Sequence, residues 1–300
     1  MNASQQANAL LFLHAQTSLH PGSGTALGVV DLPIQRERHT QWPLVPGSSI
    51  KGVLRDTCGR RGTDRDLVLA AFGPETADAD KHAGAISVTD ARILAFPVRS
   101  LRGVFCWTTC HAVLERFNRD AALAQVPQIK LPVRPGKGQA VCISNSPLLV
   151  DGNHLVLEEF DFECTAELDG LGDRLASRIF LAGDVATPDA FRQRLVVLHD
   201  DDFTHFVRHA TEIVARIGLN PETKTAKQGA LFYQEFLPSE TILYAVVFAN
   251  ASRREGKVAD AAGILDYLRG QLPEVLQIGG DETTGKGLCA VRLCDGKECA

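Results

Sequence analysis

The apolar pattern opens at ALLFLHAQTSL, Ala9 to Leu19, a continuous run that passes into alternation and predicts a first buried strand. A glycine-rich loop, HPGSGTALGVVD, follows from His20 to Asp31. Pro46, Gly47, Ser48 and Ser49 then precede a short helical pattern, so a serine is expected to cap a helix running to about Arg60. Beyond the irregular stretch FGPETADADKHAG, Ala85 to Phe96 reads as one or two strands, and Phe105 to Ala124 carries helical periodicity. Proline, glycine, serine and asparagine between Val126 and Gly152 mark an extended, loop-rich insertion. Leu155 to Glu167 alternates as a strand, with a helix near Leu171 to Ala182.

Two strands, Thr211 to Leu219 and Ala230 to Leu237, are joined by the turn chemistry of NPETKTAKQG into a long hairpin. Thr241 to Asn250 is a further apolar strand, Val258 to Gly270 a helix, and Glu274 to Ile278 a short strand leading into GGDETTGKG, Gly279 to Gly287. Leu288 to Leu293 reads as a last strand. With β-loop elements at both ends and no internal repeat, the pattern predicts an α+β sheet domain with insertions rather than a doubly wound parallel fold.

The terminal glycine loop nearly spells a nucleotide-binding motif: Gly280, four residues, Gly285 and Lys286. Gly287 stands where a magnesium-binding hydroxyl belongs, and a strand follows where a helix should, so a triphosphate cradle is not expected. Close backbone approach and the Lys286 charge suit an RNA phosphate instead; the plainer alternative is a tight connection between strands.

Three hundred residues at 45% hydrophobic supply a core for one large domain or two ordinary ones. No run of eighteen apolar residues suits a membrane span, and the N-terminus lacks a basic leader, so the expected location is the cytoplasm, with no membrane partner. There, eight cysteines are expected to be reduced and buried. Neither CWTTCH nor the Cys289, Cys294, Cys299 series has the C-x2-C spacing of a zinc site. The net charge of −5 argues against an indiscriminate nucleic-acid coat, but its distribution matters more. Asp31 to Arg61 holds six Lys or Arg against three acids; Asp151 to Asp173 holds eight acids and no Lys or Arg. This suits either a basic binding face with an acidic surface that meets a neighbour's basic side, or ordinary uneven loops.

Five stretches in fixed order carry a resemblance: HPGSGTALGVVDLPIQRERHT, PGSSIKGVLR, FPVRSLRGVF, TEIVARIGLNPETKTAKQGALFYQEFLPS and QIGGDETTGKG. Together they resemble the RAMP proteins of CRISPR systems, and among these the repeated backbone subunit of type III-B (Cmr) effector complexes, over almost the whole length. The resemblance implies a single RAMP domain over 1–300 with a ferredoxin-like (RRM-like) core and antiparallel sheet. Insertions are expected at about 62–170, forming a lid or fingers, and at 211–240, forming a thumb hairpin. It further implies a target-RNA endoribonuclease whose partners are a CRISPR guide RNA, complementary target RNA, copies of itself and other subunits of the complex. The implied cofactor is a divalent cation, Mg²⁺ or Mn²⁺.

Asp31, in GVVDLP, falls at the position of the family's catalytic aspartate. RNA carries its own nucleophile, a 2′-hydroxyl, so a carboxylate could act as general base or hold the cation. On residues alone, Asp31 reads first as a loop carboxylate bonding amides beside Pro33, and it is the resemblance that makes it the catalytic candidate. His20, Arg36, Glu37, Arg38 and His39 cluster around it. Arg36 and Arg38 suit phosphate contact or pairing with Glu37, and the histidines suit proton transfer or solvation. Ser49, Lys51 and Arg55 open the first helix as an anion site, or as a cap with a solvated basic stripe. Gly279, Gly280, Thr284, Gly285, Lys286 and Gly287 are expected on the guide backbone, positioning it without reading sequence. Arg216, Lys224 and Lys227 are expected near the thumb tip, with Phe232, Tyr233 and Phe236 either stacking or core. A non-catalytic guide-binding scaffold and a P-loop-like nucleotide-binding protein are the competing functions.

Overall fold

Ala9, Leu10, Leu11, Phe12 and Leu13 are all buried because helices pack over their strand as well as strands beside it, which is why the run is continuously apolar rather than alternating. The structure, a computed structural model, describes residues 6–26, 28–61, 64–78, 80–181, 183–254 and 259–299. Its strands are β1 (Gln6–Ala15), β2 (Leu44–Val45), β3 (Ile86–Val88), β4 (Ala91–Arg99), β5 (Phe105–Cys110), β6 (Gln139–Cys142), β7 (His154–Leu157), β8 (Phe160–Glu167), β9 (Leu195–Leu198), β10 (Glu212–Leu219), β11 (Ala226–Phe236), β12 (Ile242–Asn250), β13 (Val275–Gln277) and β14 (Leu288–Cys294). The helices are α1 (Gly47–Arg60), α2 (Arg65–Phe72), α3 (His111–Leu123), α4 (Leu171–Ile179), α5 (Ala186–Arg194), α6 (Asp200–His209) and α7 (Ala261–Gln271).

The core is the path β1–α1–β4–β12–α7–β14. Its strands lie in the order β14, β1, β12, β4 with every neighbouring pair antiparallel, the ferredoxin-like arrangement. In register, Leu10 faces Val246 on one side and Cys294 on the other. β4 changes partner along its length: Arg92 to Ala95 pair with β12, and Phe96 to Arg99 pair with β5. Through that strand the sheet continues as β5, β9, β6, β8 and β7. The 62–170 window expected for an insertion therefore contains β4, a core strand. The thumb is a separate two-stranded sheet, β10 with β11.

Several elements differ from the pattern reading, for identifiable reasons. Phe105 to Ala124 is not one helix but β5 followed by α3; five of the six β5 residues are buried, and a short buried run has no face by which period could separate strand from helix. Leu155 to Glu167 is a hairpin, β7 and β8, turned at Glu158 with φ 48°. No serine caps α1. Pro46 occupies the cap position without a side-chain bond, and the Gly47 N–H donates to Asp90 Oδ1 at 2.8 Å. A Cβ at Gly47 would lie 2.4 Å from the Val88 carbonyl oxygen, so glycine is required by the helix's close approach to β3. The α7 cap is Asp260, which accepts from Gly263 N–H at 2.8 Å; the expected start at Val258 and the expected helix end at Ala182 lie outside the described residues. α2, α5, α6, β6 and β9 had no distinct pattern.

Cys58, Cys106, Cys110 and Cys289 are buried thiols, and burial pushes Cys289 up to about 12. The other four lie in two facing pairs, Cys142 beside Cys164 and Cys294 beside Cys299. Among the described residues no helix is long and apolar enough to cross a membrane.

Candidate nucleic-acid interface

Leaving β1, the chain runs beside the β13–β14 connection, so glycine turns from opposite ends of the sequence meet. Gly280 N–H donates to the His20 carbonyl at 3.0 Å, and Gly287 N–H to the Ser18 carbonyl at 2.9 Å. Gly279 and Gly287 have φ of 82° and 75°, and a Cβ at Gly287 would stand 2.0 Å from the Ile278 oxygen. Within the loop, the amides of Thr284, Gly285 and Lys286 are taken by the carbonyls of Asp281 and Glu282, and the Thr284 hydroxyl donates to Asp281 O. Lys286 Nζ lies 3.4 Å from Ser18 Oγ and 5.2 Å over the Phe236 ring. The turn is thus first a strand connection locked to the opening loop. Replacing Gly287 with Ala is expected to cost about 2 kcal/mol through the left-handed backbone and the crowded oxygen, lowering the melting temperature by about 3 °C.

The loop carrying Asp31 lies along the last residues of β11. Leu32 N–H donates to Tyr233 O and Glu235 N–H to Leu32 O, both at 3.0 Å. Half-buried Asp31 accepts the Tyr233 N–H at 2.7 Å through Oδ2, which orients the carboxylate by one oxygen. Two residues on, the buried Glu235 accepts from Ile34 N–H at 3.1 Å, Arg36 Nη2 at 2.6 Å and Thr211 Oγ1 at 2.8 Å. Between them, Gln234 Nε2 donates to Asp281 Oδ2 at 2.6 Å. Three consecutive residues therefore bind three things: Tyr233 the Asp31 carboxylate, Gln234 the terminal glycine loop, Glu235 the segment after Asp31. Sequence reasoning singled out neither Gln234 nor Glu235, although two polar residues inside an aromatic strand, FYQEF, were a signal.

The expected RNA contacts divide. Arg36 also donates to the carbonyls of Gln41 and Val207, so its guanidinium is committed within the protein rather than presented to phosphate. His20 is 8% exposed and its Nδ1–H donates to Glu235 O at 2.7 Å, making it a brace and not a solvated loop histidine. Glu37 is engaged by Arg116 at 2.6 Å and Thr40 at 2.6 Å, while Arg38 is exposed and makes no ion pair among the described residues. Arg216 is not at the thumb tip: it pairs with Asp281 at 3.4 Å and lies 5.4 Å over Phe236, at the hairpin base. Lys224, in the turn with φ 55°, and Lys227 are exposed as expected of the tip. Phe236 is core, whereas Tyr233 is 40% exposed. At α1, Ser49 is exposed and Lys51 is held below the usual lysine range by burial and then by Arg55, whose own guanidinium donates to Pro74 O.

The RAMP superfamily model matches residues 12–290. The chain belongs to the RAMP superfamily. A RAMP relative from Pyrococcus furiosus, the "CRISPR system Cmr endoribonuclease Cmr4", is 40% identical over 285 residues, 95% of each chain. The crystal structure of oligomeric Cmr4 from that organism superposes with a TM-score of 0.74 at 31% identity, covering 97% of this chain and 98% of that one. A chain from the cryo-EM structure of the type III-B Cmr-beta complex bound to cognate target RNA shares the RAMP fold, with a TM-score of 0.75 at 21% identity over 99% and 100% of the two chains.

Proposed function

We propose that this RAMP protein is a repeated backbone subunit of a type III-B CRISPR effector that binds guide RNA and cleaves complementary target RNA. The near-full-length identity to a Cmr endoribonuclease supports the reading. The observation that carries it is the seam at Tyr233, Gln234 and Glu235, which joins a loop carboxylate, a glycine turn and the thumb base along one strand.

Asp31 is the chemical group. With one oxygen on the Tyr233 N–H, its carboxylate is oriented to take the proton from a target 2′-hydroxyl as that oxygen attacks the adjacent phosphorus. The bond to the 5′-oxygen breaks, a proton returns to it from solvent, and the products end in a 2′,3′-cyclic phosphate and a 5′-hydroxyl. The exposed tip lysines Lys224 and Lys227 supply countercharge to a strand held bent beside the hairpin. Ser49, Lys51 and Arg55, with the glycine loop, bear on the guide backbone, where specificity comes from base pairing.

For the implied Mg²⁺ or Mn²⁺, no group of three or more His, Cys, Asp or Glu converges among the described residues, and one Asp31 oxygen is already taken. The chain alone does not fit a resident metal, and no step here passes through one. Reconstitution with a guide RNA, the other subunits and an end-labelled complementary target tests the function. Regularly spaced fragments with cyclic-phosphate ends are expected; an intact target bound to the loaded complex would leave only a scaffold role.

A further inference from the structure

Charge is divided between two distant regions of the sheet. At one end β7 is the last strand, and along β8 Asp161, Glu163, Thr165 and Glu167 face solvent while Phe162 is buried. Glu158 pairs with Arg99 and Asp161 with His154; Asp151, Glu159, Glu163 and Glu167 have no cationic partner among the described residues. Strand geometry sets Glu163 and Glu167 about 13 Å apart on one ridge.

The second region is the groove between α1, α2 and the segment after β12. Two adjoining cavities, each of about 510 Å³, share Arg65, Leu69 and Glu75. Arg55, Arg60, Arg65, Lys81, Arg253 and Arg254 line them, six cations against the three lining carboxylates Asp56, Glu75 and Asp78, with Asp66 reaching in through its pair with Arg254. The carboxylates hold individual cations in place: Asp56 with Arg60 at 2.9 Å, Glu75 with Arg65 at 2.6 Å, Asp78 with Lys81 at 2.9 Å and Asp66 with Arg254 at 2.6 Å. Arg253 is exposed and unpaired among the described residues.

Five strand spacings, about 24 Å along the sheet, separate β12 from β8. Ridge and groove are different patches on one chain, so a contact between them joins copies head to tail and leaves each joined pair with a free ridge and a free groove for further copies. The carboxylates interspersed in the groove oppose a continuous phosphate backbone, whereas widely spaced ridge carboxylates can each meet a separate cation. We infer that the acidic β7–β8 ridge of one copy seats in the α1–α2 groove of the next. This rests on the self-assembling role proposed above, and it names the surfaces.

The test is a charge swap in the full-length protein, using the exposed positions Glu163→Lys with Glu167→Lys on the ridge and Lys81→Glu with Arg253→Glu in the groove. Association is followed by sedimentation, with and without a guide-length RNA. Wild type is expected to form multimers that shorten between about 0.05 M and about 0.5 M salt, as screening strengthens. Either swapped protein alone should associate about tenfold or more weakly, and an equimolar mixture should return to the wild-type level, since each supplies the face its partner can use. Glu163→Gln with Glu167→Gln should weaken association in the same direction by less, and circular dichroism checks that all variants fold. Multimers of wild-type length from folded swapped proteins, or a mixture that does not recover, would overturn the inference while leaving self-assembly intact. A groove swap that weakens binding of a short single-stranded RNA, with the ridge swap associating normally, would overturn it in favour of an RNA surface. A wild type that stays monomeric at low salt even with guide RNA would sink the assembly role and the inference together.

Discussion

Asp31→Asn is expected to lower the single-turnover cleavage rate by about 10³-fold while guide RNA is bound as before. The substitution is nearly isosteric, and the Asn side-chain oxygen still accepts the Tyr233 N–H that holds the carboxylate at 2.7 Å. What disappears is basicity. A positioned general base contributes about 10²–10⁴-fold, which sets the size of the loss. Asp31→Ala should be at least as damaging, because the Tyr233 N–H also loses its partner and the loop loses a tie to the thumb. Comparing the two separates chemistry from placement: an Asn variant with near wild-type rate beside a slow Ala variant would make Asp31 a positioning residue. If both cut within about tenfold of wild type, Asp31 has no part in the chemistry. Assembly with guide RNA is measured in parallel, so that a failure to form the complex is not read as a failure to cut.

The central strands were legible because burial leaves a composition trace, whereas their ferredoxin-like order was implied only by the family resemblance. The run from Ala9 to Leu13 is continuously apolar, and the apolar strand from Ile242 to Val247 that pairs with it is equally buried. The terminal glycine loop was legible as a tight turn too, since φ near 80° at Gly279 and Gly287 excludes most other residues. The boundary between β5 and α3 was not, because buried residues on either side look alike. Nor was the choice of partner for a charged side chain. Arg36 and Arg38 are two residues apart with the same chemistry, yet one is tied to Glu235 and the other stands in solvent. That difference is made by β11, about 200 residues away, and nothing local records it. The donor that orients Asp31 is a backbone N–H, which every residue but proline carries.

Glu235 is where the fold and the site are joined, and its removal should be felt in both. Glu235→Ala takes away the carboxylate facing the Arg36 guanidinium, the Ile34 N–H and the Thr211 hydroxyl, all in a setting where Glu235 is 7% exposed. Breaking a buried pair by deleting one partner leaves an uncompensated charge and unsatisfied donors, a loss of about 3–5 kcal/mol. Arg36 keeps its bonds to the Gln41 and Val207 carbonyls, which favours the lower end, about 3 kcal/mol. Denaturant unfolding reads that value directly. The loop from Ile34 to Arg36 should also release from β11, shifting Asp31 relative to the target strand, so cleavage should fall beyond what the folded fraction explains. Glu235→Gln keeps one acceptor oxygen for these donors and should recover part of the stability. Taking Arg36→Met together with Glu235→Ala removes both charges, and should cost less than the sum of the two single changes if the pair acts as one unit. Simple additivity would mean that Glu235 and Arg36 stabilise the loop independently, and that the thumb base does not fix the position of Asp31 through them.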